Sequence, residues 1–210
     1  MKIAIYGWKF IGIGLAAAAA GAALWRLKGC GSGLGLGLLG LVFAGFCAYF
    51  FRDPDRALPT DASRLYSPGD GVVMSVAREG PGPVTTIRVF LSIFDVHVQR
   101  FPCSGTVRKM QYVEGSFVAA MKQPESFRNE RNVVSIDCGG RTVVVEQIAG
   151  LIARRIVFKK KPGDSVLRGE RVGMIRFGSR VDLLLPAEAR LRVRLGERVQ
   201  GGSSVIAELP

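Results

Sequence analysis

One histidine, His97, is all the chain has of that residue in 210, which excludes a metal site built from several imidazoles. The four cysteines, Cys30, Cys47, Cys103 and Cys138, include no pair at metal-ligand spacing, so no metal is expected. They read as reduced, structural thiols in a reducing compartment. Acidic residues are also few: 17 against 29 Lys plus Arg leave a formal charge of +12. So basic a chain suits a polyanionic partner, yet it has no zinc-finger spacing, RNP motif or basic heptad, and no nucleic acid is expected. Anionic phospholipid remains, because headgroups attract Lys and Arg. The densest basic stretch, ARRIVFKKKPG, holds Arg154, Arg155, Lys159, Lys160 and Lys161; each taken singly reads as a solvated face.

Two stretches lack charge altogether, residues 10–25 and 30–51. The second is long enough for a hydrocarbon core of about 30 Å, and the first becomes so if Lys9 snorkels. Between them lies the polar break RLKG. Residues 1–51 thus read as a membrane-anchoring helical hairpin, with Trp8, Trp25, Tyr49 and Phe51 near the interfaces. A cleaved signal peptide would need one apolar core and a cleavage site, not two runs. Lys2, Lys9, Arg52 and Arg56 share one side against Arg26 and Lys28 in the turn. The expectation is a cell-membrane protein with its soluble domain on the cytoplasmic face. Residues 52–66, polar and proline-bearing, read as a linker.

From residue 67 to 210 β signals dominate. TTIRVFLS (85–92) is β-branched and aromatic, and NVVSIDCGGRTVVVEQI (132–148) reads as a hairpin turning at Gly139-Gly140. ARRIVF and RVGMIRF continue the pattern, and the most helix-like piece lies around 115–128. A weak repeat relates PGDSVLRGERVGMI (162–175) to LGERVQGGSSVIAE (195–208), matching Gly163 to Gly196, Val166 to Val199, Gly169 to Gly202 and Val172 to Val205. A second pattern recurs as PGDGVV at 68 and PCSGTV at 102, with a looser echo in PAEARL at 186. Recurring turn–strand units predict a mostly β, barrel-sandwich-like domain, resembling the lipoyl/biotinyl type.

Three stretches stand out chemically: YSPGDGVV with Asp70, FLSIFDVHVQRFPCSG with Asp95, His97 and Arg100, and the FGSR step at Gly178-Ser179. Each has a plain reading. Asp70 suits a turn, His97 a hydrogen-bonded core position, and Gly-Ser recurs at Gly31-Ser32, Gly115-Ser116 and Gly202-Ser203. Together they supply a hydroxyl, a base and a carboxylate, the set that activates a serine nucleophile. Alternate residues of a strand share a face, so Asp95 rivals Asp70 as the group that orients His97.

In order and spacing, five motifs resemble the phosphatidylserine decarboxylase proenzymes in their short-form, membrane-anchored branch: FFRDPDR (50–56), SPGDG (67–71), FLSIFDVHVQRFP (90–102), FRNERN (127–132) and GMIRFGSR (173–180). The resemblance implies that Ser179 attacks the Gly178 carbonyl and the resulting ester is split by β-elimination. A β chain 1–178 and an α chain 179–210 result. Loss of ammonia turns the former Ser179 into a covalent pyruvoyl cofactor, which forms a Schiff base with the substrate amine and accepts the electrons released with CO₂. It further implies phosphatidylserine as substrate and phosphatidylethanolamine as product, with His97 as proton carrier, Asp70 as its orienter, and a homodimer. Arg100, Arg128 and Arg131 are candidates to hold the headgroup phosphate. Two departures from the long-form branch stand out. Arg180 follows Ser179 where that branch has GST, and Arg100 occupies the place of a second histidine, so His97 is expected to serve both self-processing and decarboxylation. The competing readings are a non-catalytic membrane-tethered barrel-sandwich adaptor and a pyruvoyl decarboxylase for a soluble amino acid.

Overall fold

The computed structural model describes residues 2–78, 84–121, 125–151, 155–176 and 179–210. The chain forms two units, 1–55 and 56–210. In the first, β1 (Lys2–Ile3) precedes α1 (Trp8–Lys28) and α2 (Gly31–Phe50), and β2 (Arg52–Asp53) returns to pair with β1. Both helices are long and apolar enough to cross a membrane. Their contact is a small-residue seam. A Cβ on Gly21 would stand 2.3 Å from the Gly37 amide nitrogen, and one on Gly40 2.5 Å from that of Ala18, so only glycine permits this approach. Gly29 ends α1 in the left-handed conformation at φ 61° and donates its amide to Trp25.

The second unit is mostly β, as expected. In chain order it contains β3 (Arg64–Tyr66), β4 (Gly71–Arg78), β5 (Val84–Leu91), β6 (Val98–Arg100), β7 (Gly105–Val113), β8 (Arg131–Cys138) and β9 (Arg141–Ala149). There follow β10 (Ile156–Phe158), β11 (Ser165–Val166), β12 (Arg171–Ile175), β13 (Ser179–Pro186), β14 (Arg190–Leu191), β15 (Arg198–Val199) and β16 (Val205–Glu208). A curled eight-stranded sheet runs β11-β7-β8-β9-β13-β5-β4-β15, with three-stranded sheets β10-β12-β6 and β14-β16-β3 beside it. One face of the large sheet supplies the core through Val73, Ile87, Val89, Val134, Ile136, Val143, Val145, Val181 and Leu183. The β8–β9 hairpin turns at Gly139 (φ 65°) and Gly140 (φ 84°), two positive values that suit the twist of flanking strands. Of the residues read as a linker, Arg52–Asp53 pair with β1 and Arg64–Tyr66 pair with β16.

The sequence repeats are structural equivalents. Gly163 and Gly196 donate their amides to Val107 and Val73, while Gly169 and Gly202 donate theirs to Phe101 and Ser67. Each segment of one repeat thus clasps a segment of the other, the 67–73 turn against 196–202 and the 101–107 turn against 163–169. Bulges fall at matching places, after Val73 in β4 and after Val107 in β7. PAEARL at 186 takes no part, since it forms the turn leaving β13.

Two expectations are corrected. Residues 115–128 form no α-helix among those described. Glu125–Arg128 make one 3-10 turn, and Ser116 bridges to Asn129, because Asn129 uses its side-chain amide to fix the Val118 and Ala149 backbones instead. The four cysteines are not all thiols either. Cys103, in the turn after β6, meets Cys138, the last residue of β8, in a disulfide with Cα atoms 6.3 Å apart. A closed loop of sequence separation 35 predicts that Cys103→Ser lowers unfolding free energy by about 4 kcal/mol in non-reducing buffer, measured by denaturant titration. In reducing buffer the difference disappears.

Candidate active site

β13 lies between β5 and β9, in the middle of the large sheet. Its first residue, Ser179, stands opposite Leu91 and Ala149, the last residues of those strands. Ser179 is fully buried, and its Oγ has no hydrogen-bond partner among the described residues. A buried hydroxyl without a partner forgoes its water contacts and gets nothing back, a pattern that points to chemistry more than to packing. Gly178, the other half of the expected cleavage step, lies outside the described residues, as does Arg154 of the basic stretch.

The same end of the sheet gathers the other candidates. Strand β5 stops at Leu91, and residues 92–97 turn before β6, so Asp95 and His97 do not share a strand face as the sequence suggested. The turn is tied by Ser92 and Asp95: the Ser92 amide donates to Asp95 Oδ2 at 2.8 Å, and the Asp95 amide to the Ser92 carbonyl at 2.9 Å. Arg198 pairs with the second Asp95 oxygen. The Asp95 main-chain carbonyl, not its carboxylate, meets the fully buried His97, accepting from Nδ1 at 3.0 Å. That bond fixes the proton on Nδ1 and leaves the basic lone pair on Nε2.

Asp70 sits in the turn ahead of β4, next to Gly69, which packs against Leu91. Its carboxylate is held by both terminal nitrogens of Arg56, each at 2.7 Å, and by the Gly201 amide at 2.8 Å. In the matching turn Ser104 accepts the Arg168 amide at 3.0 Å with a hydroxyl. At Asp70 the oxygen comes with a full negative charge, which neutralises the largely buried Arg56 guanidinium.

The three phosphate candidates do not converge. Arg100 is buried, donating to the Gly169 carbonyl at 2.9 Å with its stem against Gly202, so it braces the paired turns. Arg128 is exposed on the 3-10 turn. Arg131 lines a cavity of about 290 Å³ on the face of β13 opposite the core, together with Arg88, Glu146, Arg180, Asp182 and Phe127.

That cavity encloses a charge cluster missed by sequence reasoning. Asp182 lies between Arg88 of β5 and Glu146 of β9 in register, and Arg180 Nε donates to it at 2.8 Å. Arg180 also reaches Ser126 Oγ at 2.7 Å and the Ala120 carbonyl at 3.3 Å. Burial pushes the Asp182 carboxyl up to about 6, against the pull of Arg180 and Arg88 and with a further push from Glu146. Burial raises Glu146 as well, opposed by Arg131, Arg180 and Arg88. A second missed feature is a buried amide chain: Asn132 donates to Gln147 at 3.1 Å and Gln147 to Gln99 at 3.0 Å, leaving Gln99 Nε2 without a partner. Gln147 lies opposite Val181, two residues along β13 from Ser179 and on the same face. The one signal was the pairing of His97 with a polar Gln99 in an otherwise apolar run.

The fold and this geometry define a mostly β domain whose candidate nucleophile sits inside a sheet rather than in a surface cleft. A phosphatidylserine decarboxylase family model matches residues 43–207. The phosphatidylserine decarboxylase proenzyme of Solibacter usitatus is 51% identical over 167 residues, covering 80% of each chain. That of Saccharopolyspora erythraea is 48% identical over 181 residues, covering 82% of this chain and 77% of its own. That of Burkholderia pseudomallei is 45% identical over 170 residues, covering 79% of each. The chain belongs to the phosphatidylserine decarboxylase family, and it is a decarboxylase.

Proposed function

We propose that the chain cleaves itself between Gly178 and Ser179 and then decarboxylates phosphatidylserine to phosphatidylethanolamine. The observation that carries this reading is the buried, unpartnered Ser179 Oγ at the head of a central strand. The site fits a group made from that serine: the position is fully buried and held from both sides by β5 and β9, and Gln99 Nε2 is a buried donor without a partner among the described residues. A pyruvoyl group there supplies a carbonyl that takes up the electron pair released with CO₂.

The chain's own residues do the rest. In self-processing, His97 Nε2 takes the Ser179 hydroxyl proton, with the Asp95 carbonyl holding the ring in the required tautomer. Asp70, whose carboxylate is paired with Arg56 and capped by the Gly201 amide, fixes the turn at the same end of the sheet. In turnover, His97 returns a proton to the carbon that lost CO₂. Gln99 Nε2 can only donate, which suits a substrate oxygen. For the headgroup phosphate Arg128 and Arg131 remain accessible, whereas Arg100 is committed to the turns. The domain layout we propose is anchor 1–51, linker 52–66 and catalytic domain 67–210, working as a homodimer. We place the domain on the cytoplasmic face of the cell membrane from the positions of Lys2, Lys9, Arg52 and Arg56. The Cys103–Cys138 disulfide pulls the other way, since reducing compartments keep thiols reduced. Protease protection of inverted vesicles decides between the two.

The test is intact mass under denaturing conditions. The reading requires two fragments parted between Gly178 and Ser179, the smaller with a blocked N-terminus, and carbon dioxide release from phosphatidylserine vesicles. An unbroken chain that still releases carbon dioxide would overturn the self-cleavage reading. His97→Ala is expected to slow cleavage, turnover or both at least a hundredfold, the usual weight of a positioned acid–base group. A variant that cuts and decarboxylates at the normal rate removes His97 from both steps.

A further inference from the structure

At the end of the large sheet that carries Ser179, three apolar side chains stand out from the domain. Just past β5, Ile93 and Phe94 are 36% and 63% exposed. Two residues past β9, Leu151 is 62% exposed. Since β5 and β9 flank β13 and finish opposite Ser179, these residues border the serine's strand on both sides. The Ile93–Phe94 tip is not a loose loop. Besides the two Ser92–Asp95 bonds, the Phe94 amide reaches Ser92 Oγ at 3.3 Å, and Arg198, the first residue of β15, pairs with Asp95. A four-residue turn locked from beneath, with its two largest apolar groups outward, departs from the polar composition of solvated turns.

Cations lie around these tips. Arg198 remains 69% exposed although it pairs with Asp95. Arg155 is exposed where β12 ends, its carbonyl accepting from Arg176, three residues before Ser179. Apolar tips rimmed by arginine have the composition of a surface that enters a lipid interface, apolar groups at the acyl boundary and cations at phosphate depth.

We propose that this end of the catalytic domain inserts into an anionic bilayer, with Ile93, Phe94 and Leu151 at the acyl boundary and Arg155 and Arg198 among the phosphates. The proposal rests on the reading that the substrate is a phospholipid. A serine headgroup has to reach the buried Ser179 position, and withdrawing acyl chains into water is unfavourable for every methylene. Seating the mouth of the site at the interface avoids that withdrawal. The same turn carries the Asp95 carbonyl that holds His97, so insertion also braces the imidazole from outside.

The experiment uses the full chain. Its two tryptophans, Trp8 and Trp25, are changed to phenylalanine and Phe94→Trp is introduced as the sole reporter. Vesicles of phosphatidylcholine and phosphatidylserine carry bromine near the top of the acyl chains. Insertion requires blue-shifted emission that bromine quenches. In parallel, the triple change Ile93→Asp, Phe94→Asp and Leu151→Asp is compared with the parent on vesicles and on a short-chain, water-soluble phosphatidylserine. The ratio of vesicle to soluble turnover is expected to fall about tenfold or more, with self-cleavage normal on a denaturing gel. Reporter emission that bromine leaves unquenched overturns the proposal, as does an unchanged ratio. A blue-shifted but bromine-insensitive emission that depends on protein concentration would assign the surface to a second copy of the chain and also overturns it. If the parent fails even on soluble lipid, the substrate reading falls, and quenching still judges the surface by itself.

Discussion

Ser179→Ala leaves one unbroken chain with no decarboxylase activity, and it does so without unfolding the protein. Alanine removes the Oγ and nothing else, so the self-cleavage proposed above would lose its nucleophile and the proposed carbonyl-bearing cofactor its source. The structural side of the exchange is mild. The lost hydroxyl is fully buried and makes no hydrogen bond, so its removal relieves an unmet desolvation penalty on the order of 1 kcal/mol. Stability should therefore hold or rise slightly, as read by denaturant midpoint, while cleavage and carbon dioxide release both vanish. Loss of function through misfolding would lower the midpoint, so the two measurements separate chemistry from stability. Residual activity in an uncut alanine variant would end the self-processing reading.

Arg180→Ala should be the most damaging change to stability. Arg180 and Asp182 are almost wholly buried, at 1% and 3% exposure, and the guanidinium ties β13 to Ser126 and Ala120 as well as to Asp182. Removing the guanidinium leaves the buried Asp182 with the more distant Arg88 at 3.4 Å as its cation and Glu146 opposite, at a cost of about 3–5 kcal/mol. Against a typical total near 5–15 kcal/mol, that brings the domain close to its threshold. Replacing both members together by apolar residues of like volume, Arg180→Met with Asp182→Leu, should recover most of the loss. A single Arg180→Ala variant with an unchanged midpoint would remove the cluster from the stability account.

The cluster also sets a pH signature. Asp182 has its pKa raised from an ordinary 3.8 to about 6, so between those values the folded chain binds the extra proton and the unfolded chain does not. Stability from this group therefore grows as pH falls from about 6 towards 4 and is lost on the way back up, by on the order of 2–3 kcal/mol. Asp182→Asn should flatten that part of the stability profile.

The elements that local chemistry dictates were legible in the sequence. Gly139-Gly140 between two β-branched runs could scarcely be anything but a hairpin, and the matched glycines of the repeats proved to occupy matched turns. The motifs around Asp70, His97 and Ser179 named residues that the sheet register brings to one end. What stayed hidden depends on partners distant in sequence. Arg88, Glu146 and Asp182 each alternate with apolar neighbours, so each reads as a solvated outward residue until Ala120, Ser126 and Phe127 close over them. The 115–128 stretch looked helical because nothing local reveals that Asn129 spends its amide on the backbone. The Ser92–Asp95 turn interrupts an apolar run that reads as a single strand through His97, and Cys103 meets Cys138 only through the fold.

The position of β13 has one more consequence. Residues 179–210 contribute β13 to the interior of the large sheet, β15 to its edge, and both β14 and β16 to a smaller one. Once severed, this short piece has no core of its own, yet it is woven between strands it did not leave. If the chain cuts itself as proposed, assembly must precede scission, and the cut form would be a trapped product that cannot retrace its route. Heat or urea should melt it irreversibly, whereas the uncut alanine variant should refold on cooling.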